Sequence, residues 1–280
     1  MTLFFAMRYA MTLERLSQTR VAKPWGRHKL WPGFENPSAG EEPVGEIWFA
    51  DPSHAPAPLM VKYLFTSERL SIQVHPSDAY AQARGYVSGK EECWIILDAE
   101  ADAEIGIGLH KACSTEALHA AALDGSIVDL IDWKPVQAGD VISVPVGTVH
   151  AIGAGVTLIE VQQNVDLTYR LYDYGRPRAL HLDDGMAVAC PSPFAMPLAP
   201  LLATPGRTML SAGDNFSVEN ISGPMTVRIA TPDAGIWIIP VVGEMKIDDE
   251  PCVPGQCWFA TDAHRLTLEA GARALIATPA

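Results

Sequence analysis

The chain reads as mainly β: an antiparallel β-barrel with a few short helices, followed by a second, smaller β unit. Two patterns predict this. The last third, from Met209 to Ala280, breaks into short apolar runs (FSVENIS, MTVRIA, GIWIIPVVG, EMKIDD, QCWFAT, RLTLEA, ARALIAT). Turn residues separate those runs at the spacing of a sandwich or barrel. Upstream, LSIQVH alternates cleanly, with Ser71, Gln73 and His75 on one face and Leu70, Ile72 and Val74 on the other.

Composition bounds the function. With 280 residues, 48% hydrophobic and 19% charged, the chain has ordinary globular content and enough length for a sizeable core. A net charge of −13 argues against a nucleic-acid partner, which needs a basic footprint. The same charge repels an anionic ligand at long range, so such a ligand requires a local basic pocket. The 5 cysteines are an odd count without a CxxC pair, which predicts reduced intracellular thiols. Cys252 and Cys257 lack the partners of a thiolate metal site. No run approaches the roughly 20 apolar residues of a membrane span. The opening MTLFFAMRYAM has no basic leader or cleavage site, so no signal peptide is expected, and Met11 is an alternative start. The expected location is the cytoplasm, with no membrane partner.

In order, Lys23–Gly45 (KPWG, WPGF, ENPSAGEEPVG) reads as loop, and GEIWF from Gly45 as a short strand closed by DPSHAPAP. Leu59–Phe65 is an apolar run interrupted by Lys62, which taken alone reads as an edge-strand charge or a snorkelling stem. Pro76 ends the LSIQVH strand, and a short helix capped by Ser77 or Asp78 follows. KEECWIIL from Lys90 predicts a strand with Lys90, Glu92, Trp94 and Ile96 on one face, and EIGIGL a further strand. TEALHAAALDG is alanine- and leucine-rich after Ser114 and stops at Gly125, so it predicts a helix. β-Pattern resumes at Val136, ALHLDDGMAVA suggests a short helix, and CPSPFAMPLAP is the linker candidate. The domains are therefore expected at 1–200 and 201–280.

The stretch from Gly139 to Arg176 carries the chemistry. Gly139, Pro145, Gly147 and His150 fit Gly-x5-Pro-x-Gly-x2-His, in which the glycines allow tight turns and the proline stops strand pairing. His150 then points inward from a hairpin. AGDVISVPVGTVH and PGQCWFATDAH share the order Gly, apolar strand, turn, His, a weak internal repeat. His264, lacking companion ligands nearby, reads as an ordinary surface or core histidine.

The Gly139–His150 pattern resembles the second motif of the cupin superfamily, small antiparallel barrels (jelly rolls) that commonly hold one metal. An asparagine expected shortly after the histidine is Ala154 here. The first motif is altered to Gln73-Val74-His75, with Glu92 further on. Gln73, His75, Glu92 and His150 form a plausible N and O ligand set for Zn²⁺. A lone inward histidine is usually a satisfied core group, but these candidates fall on matching strand faces.

More widely, the chain resembles the type I phosphomannose isomerases in their short bacterial form. The resemblance is carried by KPWG, VGEIW, LSIQVHPSD, GKEECWIIL, VPVGTVHAIGAG and NVDLTYRLYDYGR, and Ser77 departs from the acidic residue usual after His-Pro. It implies one Zn²⁺ on Gln73, His75, Glu92 and His150, and a catalytic arginine at Arg170. It further implies a proton-transfer carboxylate at Glu160 and supporting lysines at Lys62 and Lys90. The second β unit becomes a degenerate cupin-like barrel. The implied reaction interconverts mannose 6-phosphate and fructose 6-phosphate through an enediol, with a small-molecule sugar phosphate as partner and a monomer or small homo-oligomer as assembly.

The residues themselves bear on these roles. A fixed charge in the middle of LTYRLY is costly without a partner, which favours a functional Arg170, whereas Glu160 could simply pair with it. Lys62, Lys90, Arg176 and Arg178 are candidates for the phosphate, as are the N–H groups of the Ser114 helix. Two alternatives share the barrel: an iron-dependent oxidising cupin, against which the glutamine ligand counts, and a non-catalytic sugar-binding cupin.

Overall fold

The computed structural model describes residues 13–49, 57–195 and 205–280. The opening MTLFFAMRYAM, most of DPSHAPAP and the end of the linker candidate lie outside the described residues. Contacts divide the chain into a unit Gln18–Leu202 and a unit combining Met1–Ser17 with Ala203–Ala280. The strand Leu13–Arg15 pairs with Trp258–Ala260, so the residues just before Gln18 go with the C-terminal unit rather than with the larger one.

The larger unit is a two-layer, cupin-type jelly roll. One sheet runs in the order Gln18–Arg27, Val44–Phe49, Leu59–Phe65, Val156–Gln163, Glu92–Ala99, Val141–Val144. The other runs Tyr169–Tyr172, Ile72–Val74, His150–Ile152, Glu104–Leu109, Ile131–Pro135. The pairings in both are antiparallel. Trp25, Leu64, Trp94, Ile96 and Leu158 of the first sheet meet Ile105, Ile107 and Ile152 of the second in one buried cluster. Each such fully buried aliphatic side chain contributes roughly 1.5–3 kcal/mol of transfer free energy. On the outer face of the second sheet, Ile72, Val74, Val149 and Leu171 pack against Ala81, Leu118, Ala122 and Met186 of the short helices. Phe34 covers the outer face of the first sheet, edge-on to Tyr63 with ring centroids 4.9 Å apart.

The helices form where caps and composition place them. Ser77 accepts from Tyr80 N to cap Asp78–Gln82, and Ser114 accepts from Ala117 N to cap Thr115–Asp124. The second of these ends at Gly125, whose φ of 88° is the left-handed stop. Leu182–Val188 is helical, and Ile127–Leu130 adds a helical turn that its pattern did not announce.

KPWG lies within a strand rather than a loop. Gln18–Arg27 is the edge of its sheet, and its register with Val44–Phe49 breaks between Ala22 and Arg27. An edge strand with a bulge accommodates Pro24, and alternation still buries Trp25. The KEECWIIL strand begins at Glu92; Lys90 precedes it, its N–H bonded to Pro76 O at 3.1 Å. Gly89 makes that approach feasible, because a Cβ there would lie 2.3 Å from Pro76 O.

The C-terminal unit repeats the architecture. A sheet ordered Leu13–Arg15, Trp258–Ala260, Ile236–Val242, Arg273–Pro279, Phe216–Ser222, Gly206–Ala212 accompanies another ordered Met225–Ile229, His264–Leu268, Met245–Ile247, Glu250–Cys252. Ile238, Ile276, Ile247 and Leu266 share their common core. His150 and His264 each open the strand that follows the repeated turn. Among the described residues no helix is long and apolar enough to cross a membrane, and all the cysteines are free.

Candidate active site

Period-2 alternation along three neighbouring strands builds the site. On their shared inner face, Leu64, Leu158 and Ile96 are apolar, whereas Lys62, Glu160, Gln162 and Glu92 follow toward one end. Register aligns them: Glu160 lies opposite both Lys62 and Trp94, and Gln162 opposite Glu92. In the other sheet Gln73 is opposite both His150 and Arg170. Each layer therefore delivers polar groups to the same end of the jelly roll.

His75, Glu92 and His150 are brought together, with ligand atoms within 4.8 Å of one another and every side chain buried. The two imidazoles are oriented from behind. His75 Nδ1–H donates to Leu167 O at 3.0 Å and His150 Nδ1–H to Thr148 O at 2.8 Å, which leaves both Nε2 lone pairs turned to Glu92. This is how metal-ligating histidines are commonly fixed. Turn geometry contributes as well: Gly147, at φ 80°, bonds through its N–H to His75 O at 2.8 Å. Gln73 Nε2 lies 3.3 Å from His150 Nε2.

The electrostatics fit a cation. Glu92 is 1% exposed, and among the described residues neither of its carboxylate oxygens nor His75 Nε2 has a hydrogen bond of good geometry. Lys90 Nζ does approach Glu92 Oε1 at 2.7 Å. Burial opposes ionisation of Glu92, but Lys90 outweighs it and holds the carboxyl well below the usual range. Burial pushes His75 down to about 3, with Lys90 adding to it, and burial likewise lowers His150. Neutral imidazoles around a buried carboxylate with unsatisfied lone pairs are a donor set for a divalent ion. His75, Glu92 and His150 thus fit a metal.

A cleft of about 130 Å³ opens beside this group, lined among others by Gln73, Lys90, Lys62, Glu160, Arg170 and Arg178. Gln73 and Lys90 join the buried ligand group to the cleft. Lys62 is 5% exposed on a central strand, which excludes the edge-charge reading, and its Nζ lies 2.6 Å from Gln162 Oε1 and 3.4 Å from Glu160 Oε1. Glu160 accepts from Trp94 Nε1 at 3.2 Å, and among the described residues it forms its ion pair with Lys62 rather than Arg170. Burial and the neighbouring Glu92 raise Glu160 to about 7. Arg170 donates through Nη1 to Ala179 O at 2.9 Å, its Nε is buried without a partner among the described residues, and burial with Arg178 lowers its pKa.

Arg176 is placed differently from the expectation. It does not line the cleft; its guanidinium is engaged by Glu68 at 2.7 Å, Asp173 at 3.1 Å and Arg69 O at 2.9 Å. The Ser114 helix is also absent from the lining. Sequence reasoning missed Lys23, Glu46 and Trp48, which line the cleft, with Glu46 Oε1 3.2 Å from Lys23 Nζ and Oε2 accepting from Trp48 Nε1 at 2.5 Å. KPWG and VGEIW contain them, and period-2 alternation through Glu46 and Trp48 was the available signal.

Two sheets with a buried His-Glu-His group at one end define a cupin with a metal-competent site. Comparisons with known proteins narrow this class. The chain is 37% identical over 200 residues to a mannose-6-phosphate isomerase of Streptococcus mutans, covering 68% of this chain and 63% of that protein. It is 45% identical over 138 residues to one from Bacillus subtilis, covering 47% of this chain and 44% of that protein. The chain thus spans less than two thirds of the length of these curated relatives. A solved mannose 6-phosphate isomerase from Bacillus subtilis matches at a TM-score of 0.78 and 25% identity, over 94% of this chain and 98% of that one. A Salmonella typhimurium phosphomannose isomerase variant shares the fold at a TM-score of 0.73 and 14% identity, over 96% of this chain and 100% of that one. No family model matches the chain. By sequence and fold together, the chain is similar to the phosphomannose isomerases.

Proposed function

We propose that the protein is a Zn²⁺-dependent aldose–ketose isomerase interconverting mannose 6-phosphate and fructose 6-phosphate. The observation that carries this reading is a buried metal-competent group beside a basic-lined cleft that holds a raised carboxyl, Glu160. The similarity to proteins named mannose-6-phosphate isomerases supports the substrate.

Gln73, His75, Glu92 and His150 would hold the ion, which when bound supplies Lewis-acid polarisation of the sugar oxygens at C1 or C2. The remaining steps belong to the chain's own side chains. Glu160, with a pKa raised to about 7, takes the proton from C2 and returns it to C1. Its raised value matches the operating pH, where proton affinity and the ionised fraction are both substantial. Lys62, 3.4 Å away, keeps part of Glu160 ionised and faces the sugar across the cleft. Arg170 stabilises the oxyanion of the enediolate, its fixed charge aimed by its bond to Ala179 O. Lys90 lies between Glu92 and the cleft and binds the sugar oxygens from that side. Arg178 takes the phosphate, supplying the local positive charge that a chain of net charge −13 requires. The reading carries with it a cytoplasmic enzyme, one Zn²⁺ per chain, and a monomer or small homo-oligomer.

Following solvent deuterium into C2 of mannose 6-phosphate tests it. Exchange that depends on Glu160 is expected; none in the metal-loaded protein would contradict the reading.

A further inference from the structure

We propose that Asp173 is a positioning residue: its buried carboxylate orients Arg178 for a phosphate monoester at the cleft. The inference rests on the proposed sugar-phosphate reading and deepens it.

Asp173 is 2% exposed, and both of its oxygens are committed to arginine. Arg178 donates through Nε to Oδ2 at 2.6 Å and through Nη2 to Oδ1 at 2.7 Å, a side-on bidentate pair. Arg176 donates to the same Oδ1 at 3.1 Å and is itself anchored by Glu68 and by Arg69 O. Arg176 is therefore a brace for the carboxylate, which explains why it lies outside the cleft lining. Asp173 engages the Nε/Nη2 edge of Arg178, and Nη1 lies outside that pair.

The backbone returns Arg178 to the cleft. The turn through Tyr174 and Gly175 uses φ values of 53° and 76°, and the chain then runs back beside Arg170. His181 N donates to Arg170 O at 2.8 Å, Arg170 N donates to His181 Nδ1 at 3.2 Å, and Arg170 Nη1 donates to Ala179 O at 2.9 Å. Arg170 and Arg178 consequently line the same cleft as two like charges. Asp173 offsets part of that repulsion while restricting the rotamers of Arg178. An arginine already fixed in one orientation loses less conformational entropy when an oxyanion arrives.

Asp173→Asn keeps the shape and removes the charge. With mannose 6-phosphate, KM is expected to rise about tenfold, with kcat within about twofold of the parent. Arg178→Ala is expected to raise KM at least as much. Combining the two should add nothing further, because Asp173 acts through Arg178. A KM increase for Asp173→Asn that persists in the Arg178→Ala background would overturn the proposal, as would an equal fall in kcat at unchanged KM. Should Asp173→Asn fail to fold, Arg178→Lys removes the bidentate hold and leaves Asp173 braced by Arg176. Parental KM in that variant would overturn the proposal, and KM near that of Arg178→Ala would support it. If the parent itself turns over no mannose 6-phosphate, calorimetry with inorganic phosphate separates the two ideas. Weaker phosphate binding by Asp173→Asn supports the positioning role without the isomerase, and equal binding defeats it.

Discussion

His75 and His150 present their Nε2 atoms to opposite oxygens of one carboxylate, 3.3 Å from Glu92 Oε1 and 3.6 Å from Oε2. Each ring is fixed from behind by a backbone carbonyl, so neither depends on the other for its orientation. Removing one imidazole should thus leave the remaining donors in place but short of a ligand. His150→Ala is expected to lower metal affinity by about 10-fold or more while keeping the fold. Metal content after dialysis reads this directly, and parental stoichiometry would remove His150 from the ligand set.

Stability of the chelated protein should respond to pH with opposing contributions. The unfolded chain protonates His75 below about 6.5, whereas the folded one resists until about 3. Folding is therefore disfavoured as pH falls through that window. Glu160 runs the other way, because its folded value of about 7 exceeds the ordinary 4.5 and its contribution is lost as pH rises between them. Glu160→Gln deletes that opposing contribution. Denaturant unfolding of the chelated variant should show stability rising more steeply than the parent between these pH limits; equal slopes would refute the raised carboxyl.

Arg170→Ala should separate chemistry from metal binding. Its side chain lines the cleft, while the imidazoles and Glu92 are buried apart from it. Retention of metal is expected, with kcat reduced by about 10²–10³-fold. A parental kcat would mean that the oxyanion is stabilised elsewhere.

Lys62→Met leaves Glu160 without the cation 3.4 Å from it. Its proton affinity should rise, moving the rising limb of the kcat–pH profile upward by about one unit. An unmoved profile would show that another group sets the limb.

Local punctuation made much of this site legible. Gln73 and His75 follow from alternation ended by Pro76, and His150 from the Gly-Pro-Gly spacing, because each signal lies within a few residues. The helix at Thr115 was equally readable from its cap and its terminal glycine. Lys62 was ambiguous for a physical reason: whether its strand is central or at an edge depends on pairings with Val44–Phe49 and Val156–Gln163, remote in sequence. Lys23 and Pro24 read as loop because an edge strand with a bulge carries the same residues. Arg176 and Arg178 were indistinguishable by spacing, since the turn at Tyr174 decides which of them returns to the cleft. Register within the three central strands, also invisible locally, sets Glu160 beside Lys62 and Trp94.

In the proposed reaction the buried ligand group and Glu160 act together on one sugar phosphate. A coupled assay following fructose 6-phosphate formed from mannose 6-phosphate, with and without chelator, reads that joint action. Turnover abolished by chelation, restored by added Zn²⁺ and absent in Glu160→Gln is expected. No turnover by the metal-loaded parent, or turnover indifferent to chelator, would contradict it.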